Sequence, residues 1–415
     1  MTSDTLSQVV ARHLTSVAFA ALPPEALEAA RRALLDALGV MLAATGLSPE
    51  VAPYRKVASI GGPGPCRVLG SAAGAAPIAA AFANASLAHA LDFGDTFDAG
   101  PAHPHAALVP ALMAIADFRP ELSFGEFLAA LATGSDLACR LSLAPSRAYE
   151  EGGWYPPPLV NLISAAAACA KALALTPAGV CDAMGFALLG ATFPAILKND
   201  RQSPLRGLRE AFAARGAVEA ALLAAAGAQA FTDPLGAEGG FFDVYGGGNH
   251  NAALLSGLGE QFVGAKVSFK PWPACRGTHA YIEAALHLRP NVNVGDIASI
   301  EVDVGPIQQM LVRPLGESPP ATQAKFSIPF TVAVALLEGE VDLDSFDEHH
   351  RRDPRIARLA RVVQACSVPA WGREHAASGR LRLILHDGQV LEREVLTALG
   401  SPERPLSNEM LVSKF

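Results

Sequence analysis

The sequence predicts a mainly α-helical protein with a large all-α domain and a smaller α+β domain. Apolar residues make up 51% of the chain and charged residues 17%, and many of the apolar residues are alanine. Alanine is the strongest helix former and contributes little to packing across a sheet, so it favours closely packed helices. Helical periodicity runs from residue 4 to about 230, and period-two alternation appears only near residue 297. Because 415 residues exceed what one core usually organises, we expect two domains.

Composition also restricts the classes of function. The net charge is -8 and the pI is about 5.8, without a basic run, so nucleic acid and membranes are not expected partners. The six cysteines lack a CxxC pair, which argues against a zinc ribbon or a disulfide framework and favours the reducing cytoplasm. No secretory signal is evident. The most apolar regions are interrupted by Lys171 and Glu219 and are too short to span a bilayer.

The predicted helices of the first domain begin at recognisable signals. Asp4, with Ser3, is a candidate cap for a first helix whose apolar residues recur at spacings of three and four: Leu6, Val9, Val10, Leu14 and Val17. The next helix begins at Pro23 and Pro24, since proline is tolerated in a first turn. Ser123 and Thr176 mark two later starts.

The pattern changes after the glycine-rich segment 245–251, which we interpret as a hinge or turn. Residues 297–305 alternate as a strand, and Asp387-Gly388 lies between two alternating segments, as in a hairpin. Helices are predicted over 325–339 and 353–368. These elements place an all-α domain at 1–264 and an α+β domain at 265–395, with 396–415 returning to the first. A cleft between the domains is the expected ligand site.

The first polar cluster, LDFGDTFDAGPAHPHAAL, spans residues 91–108. Pro104 fits the first turn of a helix, which makes His103 a candidate cap beside the positive end of the helix dipole. A neutral histidine facing a carboxylate ligand is the functional interpretation. A cap surrounded by solvated aspartates is the structural alternative. A metal site would need the ligands Asp92, Asp95, His103 and His105, but their spacing matches no metal motif.

A second cluster, FKPWPACRGTHAYIEAAL, occupies residues 269–286 at the predicted domain boundary. Cys275 with His279 could act as a nucleophile, although a buried structural thiol is favoured in the absence of a local signature. Lys270 lies among aromatic residues and prolines, and a desolvated lysine becomes usable as an acid or base. His349 and His350 are interpreted as a solvated helix end.

Two further stretches contain candidate side chains. Tyr155 in EGGWYPPPLV is either a site residue or an interfacial aromatic whose hydroxyl binds the backbone. Arg206 and Arg209 in SPLRGLREAFAARG are either site residues or part of a solvated helix face.

Several of these motifs together resemble the MmgE/PrpD family, which includes 2-methylcitrate dehydratase, cis-aconitate decarboxylase and iminodisuccinate epimerase. The motifs are LDFGDT followed by HP, then FKPWPACRGTH, AKFSIPFTVAVALLEGEV and a terminal KF, in the family's order and over nearly the whole chain. The resemblance implies a large all-α domain with a smaller α+β lid, and an active site in the cleft between them. It also implies a homodimer and no cofactor or metal.

The resemblance assigns roles by position. Four residues match active-site positions of the family: Asp92, Thr96, His103 and Lys270. Cys275 falls where relatives place a histidine or a small polar residue, and His279 matches the histidine that closes the RGTH motif. Arg276 belongs to the same motif. We expect Cys275, Arg276 and His279 to bind substrate.

The chain departs from the family pattern at three positions. Tyr155 replaces the histidine of a GWH motif, while Arg206 and Arg209 replace the lysine and histidine of a KxLHxGxAA motif. Arginine holds a carboxylate through its bidentate fork but does not release a proton near neutral pH, so anion binding survives at position 206. A phenol has an ordinary pKa of about 10 against about 6.5 for imidazole, so tyrosine is better suited to donating a proton than to removing one.

These assignments predict a mechanism for a carboxylate substrate. Cations aimed at the carboxylate stabilise charge that develops on the adjacent carbon, and the candidates are Arg206, Lys270 and Arg276. His103 is the expected base, with Asp92 orienting it and Thr96 binding substrate oxygens. Tyr155 or Lys270 would act on the opposite face.

We therefore expect a dehydratase-like lyase acting on a small hydroxy-polycarboxylate. An epimerase of a small dicarboxylate is the second interpretation, because two proton-transfer positions are replaced, and a cis-aconitate-type decarboxylase is a third. A catalytically silent carboxylate-binding protein is the alternative from another class. The joint presence of Asp92, His103 and Lys270 argues against it, since a binding protein needs no base beside an anion site.

Overall fold

The computed structural model describes residues 4–200, 202–316 and 319–414, and 57% of the chain is helical against 10% strand. The prediction of a mainly α protein is confirmed. The chain divides into two compact units, with the second beginning at Ser268. The boundary expected from the sequence, 264/265, lies three residues earlier, and residues 396–414 group with the second unit instead of returning to the first as expected. Leu399 shows why, because its amide donates to Glu283 Oε2 of that unit at 3.0 Å.

The first unit contains twelve α-helices and one two-residue strand among its described residues, together with short 3-10 turns. In chain order they are α1 Leu6–Ser16, α2 Pro24–Leu47, α3 Ala52–Ala58, α4 Pro77–Ala88, β1 Asp95–Thr96, α5 His105–Phe118, α6 Phe124–Leu143, α7 Pro156–Ala172, α8 Pro177–Leu189, α9 Ile196–Asn199, α10 Leu205–Leu208, α11 Glu210–Ala225 and α12 Phe241–Val244.

Capping side chains fix several of these helix starts. Ser123 and Thr176 accept hydrogen bonds from backbone amides of α6 and α8, as predicted. The cap of α1 is Thr5 rather than Asp4, because Thr5 and Gln8 form a reciprocal capping box. At α5 the predicted cap is wrong: Pro104 occupies that position, and its side chain makes no capping bond.

Helices α7 and α11 form the centre of the first unit. Every residue of α7 except Lys171 is buried, and α11 packs against α7, α4, α8 and α5. Alanine at the contact positions lets these helix axes approach closely, which is the arrangement that the composition predicted. Polar residues that project from α7 or α11 into this centre therefore lie in a dry environment.

The second unit combines a four-stranded sheet with six helices among its described residues. In chain order its elements are β2 Ser268–Phe269, α13 His279–Leu288, β3 Ile297–Val304, α14 Ala321–Lys325, α15 Ile328–Glu338, α16 Glu348–Arg351, α17 Pro354–Arg361, β4 Val363–Ser367, β5 Gly379–Leu385, β6 Val390–Val395 and α18 Asn408–Ser413. The sheet order is β4-β3-β5-β6.

The sheet confirms the predicted strand at 297–305 and the predicted hairpin. Strands β5 and β6 are antiparallel, and Gly388 between them has a φ of +87°. The predicted helix over 353–368 is only partly correct, because α17 ends at Arg361 and β4 follows. Strand β4 pairs in parallel with β3, from Ile300 opposite Val363 to Val304 opposite Ser367. Pairing with the backbone of β3 stabilises the extended conformation of this segment more than its local periodicity favours a helix.

The two faces of the sheet differ in polarity. Apolar residues of β3 and β5 belong to a buried cluster that includes Tyr281 and Val332 from α13 and α15. The opposite face carries ion pairs in which Arg380 and Arg382 bind Asp303, with the guanidinium and carboxylate 3.0 and 3.1 Å apart. This alternation supports the predicted α+β character of the second unit.

The described residues contain neither a single membrane-spanning helix nor a disulfide. Within the described ranges, no single helix combines the length and the apolar composition needed to cross a bilayer. Helix α2 and the helical segment Pro49–Gly61, which contains α3, reach this length and composition only when they are taken together. They are bent by 93° relative to each other. None of the six cysteines, all of which lie in the described ranges, forms a disulfide.

Candidate functional site

The turn after α4 directs Asp92 back onto His89. Asp92 has a φ of +51°, a left-handed conformation that aspartate tolerates better than most residues. Its carboxylate Oδ1 lies 3.3 Å from His89 Nε2, and both side chains are buried. His89 in turn faces His103, with 4.7 Å between their ring centroids. The structure thus brings the predicted residues Asp92 and His103 together through an imidazole that the sequence analysis did not single out.

His103 is fixed at its ring and at its main chain. Its Nδ1 lies 2.8 Å from the carbonyl oxygen of Asp95. A carbonyl only accepts, so Nδ1 carries the hydrogen, and in the neutral imidazole the lone pair then lies on Nε2. The main-chain carbonyl of His103 accepts a hydrogen bond of 2.9 Å from Asn161 Nδ2. In this tautomer Nε2 is the ring atom that can accept a proton, so it is suited to act as a base.

Asp95 also forms a buried pair with His105 at the start of α5. Oδ2 of Asp95 lies 2.8 Å from His105 Nδ1 and accepts a longer bond of 3.5 Å from the His105 amide. Burial raises the pKa of the Asp95 carboxyl, but the imidazoles of His105 and His103 outweigh it, and the pKa lies below its ordinary value. Thr96, which follows Asp95 in β1, is also buried. No group of three histidine, cysteine or carboxylate side chains in the described ranges is arranged as a metal ligand set.

Tyr155 lies immediately before α7 and is only 6% exposed. Its amide donates to the Phe193 carbonyl at 2.7 Å. The guanidinium carbons of Arg209 and Arg206 lie 5.0 and 5.9 Å from the centre of its ring, and Arg206 donates to the Lys198 carbonyl at 3.3 Å. The three residues that depart from the family pattern are therefore neighbours, and they form one cationic and aromatic group.

A buried polar chain runs from His103 to Arg209. The Nδ2 atom of Asn161 that binds the His103 carbonyl also donates to Glu210 Oε2 at 3.0 Å. Glu210 Oε1 lies 3.2 Å from Arg209 Nε, although neither atom makes an aligned hydrogen bond within the described part of the chain. Burial raises the pKa of the Glu210 carboxyl, while Arg209 and Asn161 oppose this shift and Asp95 adds to it.

In the second unit, Lys270 follows strand β2 and is 1% exposed. The amide of Phe269 donates to the Gly400 carbonyl at 2.9 Å. Gly400 has a φ of +90°, and a Cβ at this position would lie 2.0 Å from the Phe269 carbonyl oxygen. Only glycine permits this approach, so Gly400 helps to set the backbone that carries Lys270. The predicted desolvated environment of Lys270 agrees with its burial.

The RGTH segment after Lys270 is also held within the second unit. The Cys275 amide donates to the Lys325 carbonyl at 2.9 Å, and the Thr278 hydroxyl donates to the Cys275 carbonyl at 2.8 Å. Arg276 donates to the Leu399 carbonyl at 2.8 Å, and its guanidinium lies 3.5 Å from His279 Nδ1.

His279 is fully buried, and its Nε2 lies 3.2 Å from the Ala274 carbonyl. These contacts describe a well-ordered turn. The substrate-binding roles of Cys275, Arg276 and His279 stay predictions.

Three residues of the first unit were missed by sequence reasoning: His89, Asn161 and Glu210. A signal existed for His89, which lies three residues before Asp92 at a spacing that suits a turn. Asn161 is an isolated amide in the apolar stretch PPPLVNLISAAAA, and an isolated polar residue in a buried helix needs a partner. Glu210 follows Arg209 directly, and only the tertiary structure shows that this pair is buried.

Comparison with known proteins gives two family matches that together cover most of the chain. The family model for the MmgE/PrpD N-terminal domain matches residues 8–253. The family model for the MmgE/PrpD C-terminal domain matches residues 272–415. The boundary of the two structural units, at Ser268, lies between the two matches.

Named relatives are similar over most of their length at low identity. Cis-aconitate decarboxylase of Aspergillus terreus is 24% identical over 419 residues, covering 95% of this chain and 85% of the relative. Cis-aconitate decarboxylase of Homo sapiens is 28% identical over 357 residues, covering 82% and 72%. 2-methylcitrate dehydratase of Cupriavidus necator is 27% identical over 436 residues, covering 94% and 85%.

Proposed function

We propose that this chain, which belongs to the MmgE/PrpD family, is a cofactor-independent lyase that dehydrates a small hydroxy-polycarboxylate. The relatives named above are lyases, which supports the reaction class. The observation that carries the proposal is the hydrogen bond between His103 Nδ1 and the Asp95 carbonyl. In the neutral ring it leaves the lone pair on Nε2, the tautomer that a general base at this position needs.

In the proposed reaction, His103 Nε2 removes a proton from the carbon next to a substrate carboxylate. The electron pair moves towards that carboxylate, and a cation beside the carboxylate lowers the barrier. Arg206 is suited to this task because guanidinium holds a carboxylate with two parallel hydrogen bonds. Lys270 and Arg276 are assigned to the same task from the family resemblance, as is the binding of substrate oxygens by Thr96, Cys275 and His279.

Asp92 and Tyr155 take the remaining roles. The group that orients the His103 ring is the main chain of Asp95, so we assign Asp92 an indirect role through His89. Its negative charge stabilises positive charge as His103 takes up the proton. Tyr155 or Lys270 protonates the departing hydroxyl, which completes the loss of water. On the strength of the resemblance and the scattered cysteines, we also propose a homodimer in the cytoplasm.

Decarboxylation is the second candidate, favoured by the names of the relatives from Aspergillus terreus and Homo sapiens. Loss of carbon dioxide leaves an electron pair on carbon beside a second carboxylate, so the same cations would stabilise it. The acid, Tyr155 or Lys270, would then return a proton to carbon rather than to a leaving hydroxyl. Epimerisation needs proton removal and return alone, and the two replaced positions, Tyr155 and Arg206, are compatible with it.

One experiment separates these reactions. The protein is incubated in deuterated water with 2-methylcitrate, cis-aconitate or iminodisuccinate, and each acid is followed by NMR. Loss of water from the hydroxy acid is the expected result. Loss of carbon dioxide would identify a decarboxylase, and deuterium incorporation with scrambled stereochemistry would identify an epimerase. Absence of turnover with every acid would contradict the proposal and favour a carboxylate-binding protein.

A further inference from the structure

We propose that Asn161, Glu210 and Arg209 form a buried link that positions His103 and Tyr155 for the reaction. This inference rests on the proposed function, since it concerns the base and one of the two candidate acids named there. The three residues are positioning residues rather than catalytic ones, because all three are at most 1% exposed.

At one end, the link fixes the main chain of His103, the proposed base. Asn161 projects from the middle of α7 and donates through Nδ2 to the His103 carbonyl and to Glu210 Oε2. His103 directly precedes Pro104 and α5, so its carbonyl is the point where the loop 97–103 meets the helical centre. Without this donor, the carbonyl keeps the longer bond of 3.3 Å from the Ala106 amide, but the main chain of His103 loses its connection to α7.

At the other end, the link fixes the side chain of Tyr155, a proposed proton donor. The guanidinium of Arg209 lies over the Tyr155 ring, 5.0 Å from its centre, and also donates to the main-chain carbonyl of Arg206. The Glu210 carboxylate Oε1 lies 3.2 Å from Arg209 Nε and balances the positive charge of the guanidinium. One guanidinium thus fixes the plane of Tyr155 and the backbone that carries Arg206, while Glu210 connects it to Asn161.

The energetics of this link argue against a purely structural role. A buried ion pair is costly to desolvate, and apolar residues of similar volume often stabilise a fold equally well or better. The surrounding buried positions of α7 and α11 are mostly filled by apolar residues. Asn161 Oδ1 and Glu210 Oε1 also lack a hydrogen-bond partner within the described ranges. Incompletely satisfied polar groups of this kind are expected where function rather than stability sets the arrangement.

The test compares Asn161→Leu with a matched control, Asn84→Leu. Asn84 on α4 is equally buried, donates to the Arg67 carbonyl at 2.9 Å and accepts from the Leu69 amide at 2.9 Å. Both variants should lower the thermal midpoint. Only Asn161→Leu should lower kcat, by about 10² with KM changed less than about twofold, because small misplacements of reacting groups have effects of that size. Equal kcat values in the two variants would overturn the proposal.

A second variant and a second readout keep the test decisive. If Asn161→Leu does not fold, Arg209→Met/Glu210→Gln removes both buried charges together and should show the same loss of kcat. If the wild-type protein turns over none of the acids, the proposed function fails, and 15N NMR of the His103 ring still tests the link. We expect a single Nδ1-H tautomer in the wild type and in Asn84→Leu, but a mixture in Asn161→Leu. An unchanged tautomer in Asn161→Leu would refute the link.

Discussion

At the scale of single residues, the candidate site depends on hydrogen bonds that select one tautomer of a histidine ring. His103 illustrates this most directly, because a main-chain carbonyl rather than a carboxylate binds its Nδ1. A carbonyl only accepts, so it selects the Nδ1-H tautomer of the neutral ring. The backbone of Asp95 therefore orients the ring, and the orienting role expected of Asp92 stays a prediction.

His103→Ala should lower kcat by about 10² to 10⁴, the usual contribution of a general base. The side chain is only partly buried, so we expect the thermal midpoint to change little. Turnover of the substrate identified by NMR, measured beside thermal unfolding, checks both statements. Wild-type kcat in this variant would remove His103 from the role of base.

Glu210→Gln should change the pH dependence of stability in a defined direction. Burial raises the pKa of Glu210 above its ordinary value of 4.5, so the folded protein holds this proton at pH values where the unfolded chain has lost it. Wild-type stability contributed by this group therefore falls as pH rises from about 4.5 through the raised pKa. Glutamine does not titrate.

The measurement is the thermal midpoint of Glu210→Gln minus that of the wild type, recorded from pH 4.5 to 8. This difference should increase with pH and then become constant above the raised pKa. A difference that decreases with pH would show that Arg209 and Asn161 outweigh burial at this carboxyl.

At the scale of elements, helix ends and strand pairing explain most of the local structure. Capping at Ser123 and Thr176 depends on neighbouring residues, and both starts were predicted correctly. The end of α1 is different, because its last carbonyls are bound by a side chain from another helix. Lys171 of α7 donates to the carbonyls of Leu14 and Val17 at 2.5 and 2.6 Å.

Lys171→Met should lower the free energy of unfolding by about 1–3 kcal/mol, because two carbonyls lose their donor while the apolar volume is kept. Burial lowers the pKa of Lys171 to about 8 from 10.5. Between these values the unfolded chain binds more protons, so wild-type stability contributed by Lys171 rises with pH. The stability difference between wild type and variant should therefore increase from pH 8 to 10.5 in chemical denaturation. A constant difference would contradict this sign.

At the scale of the whole molecule, the chain has two separate folding patterns. The first unit packs alanine-rich helices around α7 and α11, and the second packs helices on one face of a sheet. The positions of the strands at 297–304 and 379–395 followed from period-two alternation. The position of strand Val363–Ser367 did not follow from any such alternation. Its pairing with β3 connects residues about sixty positions apart, and the local sequence carries no sign of it.

The sequence by itself determined the mainly helical class, the helix starts at Ser123 and Thr176, the hairpin at Gly388 and the family resemblance. These features depend on local periodicity, on capping chemistry or on short motifs, all of which are readable along the chain. Only the tertiary structure decided that Asp95 orients His103, that Arg206 and Arg209 both lie against Tyr155, and that Asn161 and Glu210 connect them. The contacts of Tyr155 and of Asn161 join residues some fifty positions apart, and the burial that gives a hydrogen bond or a charge its effect exists only after the helices have packed.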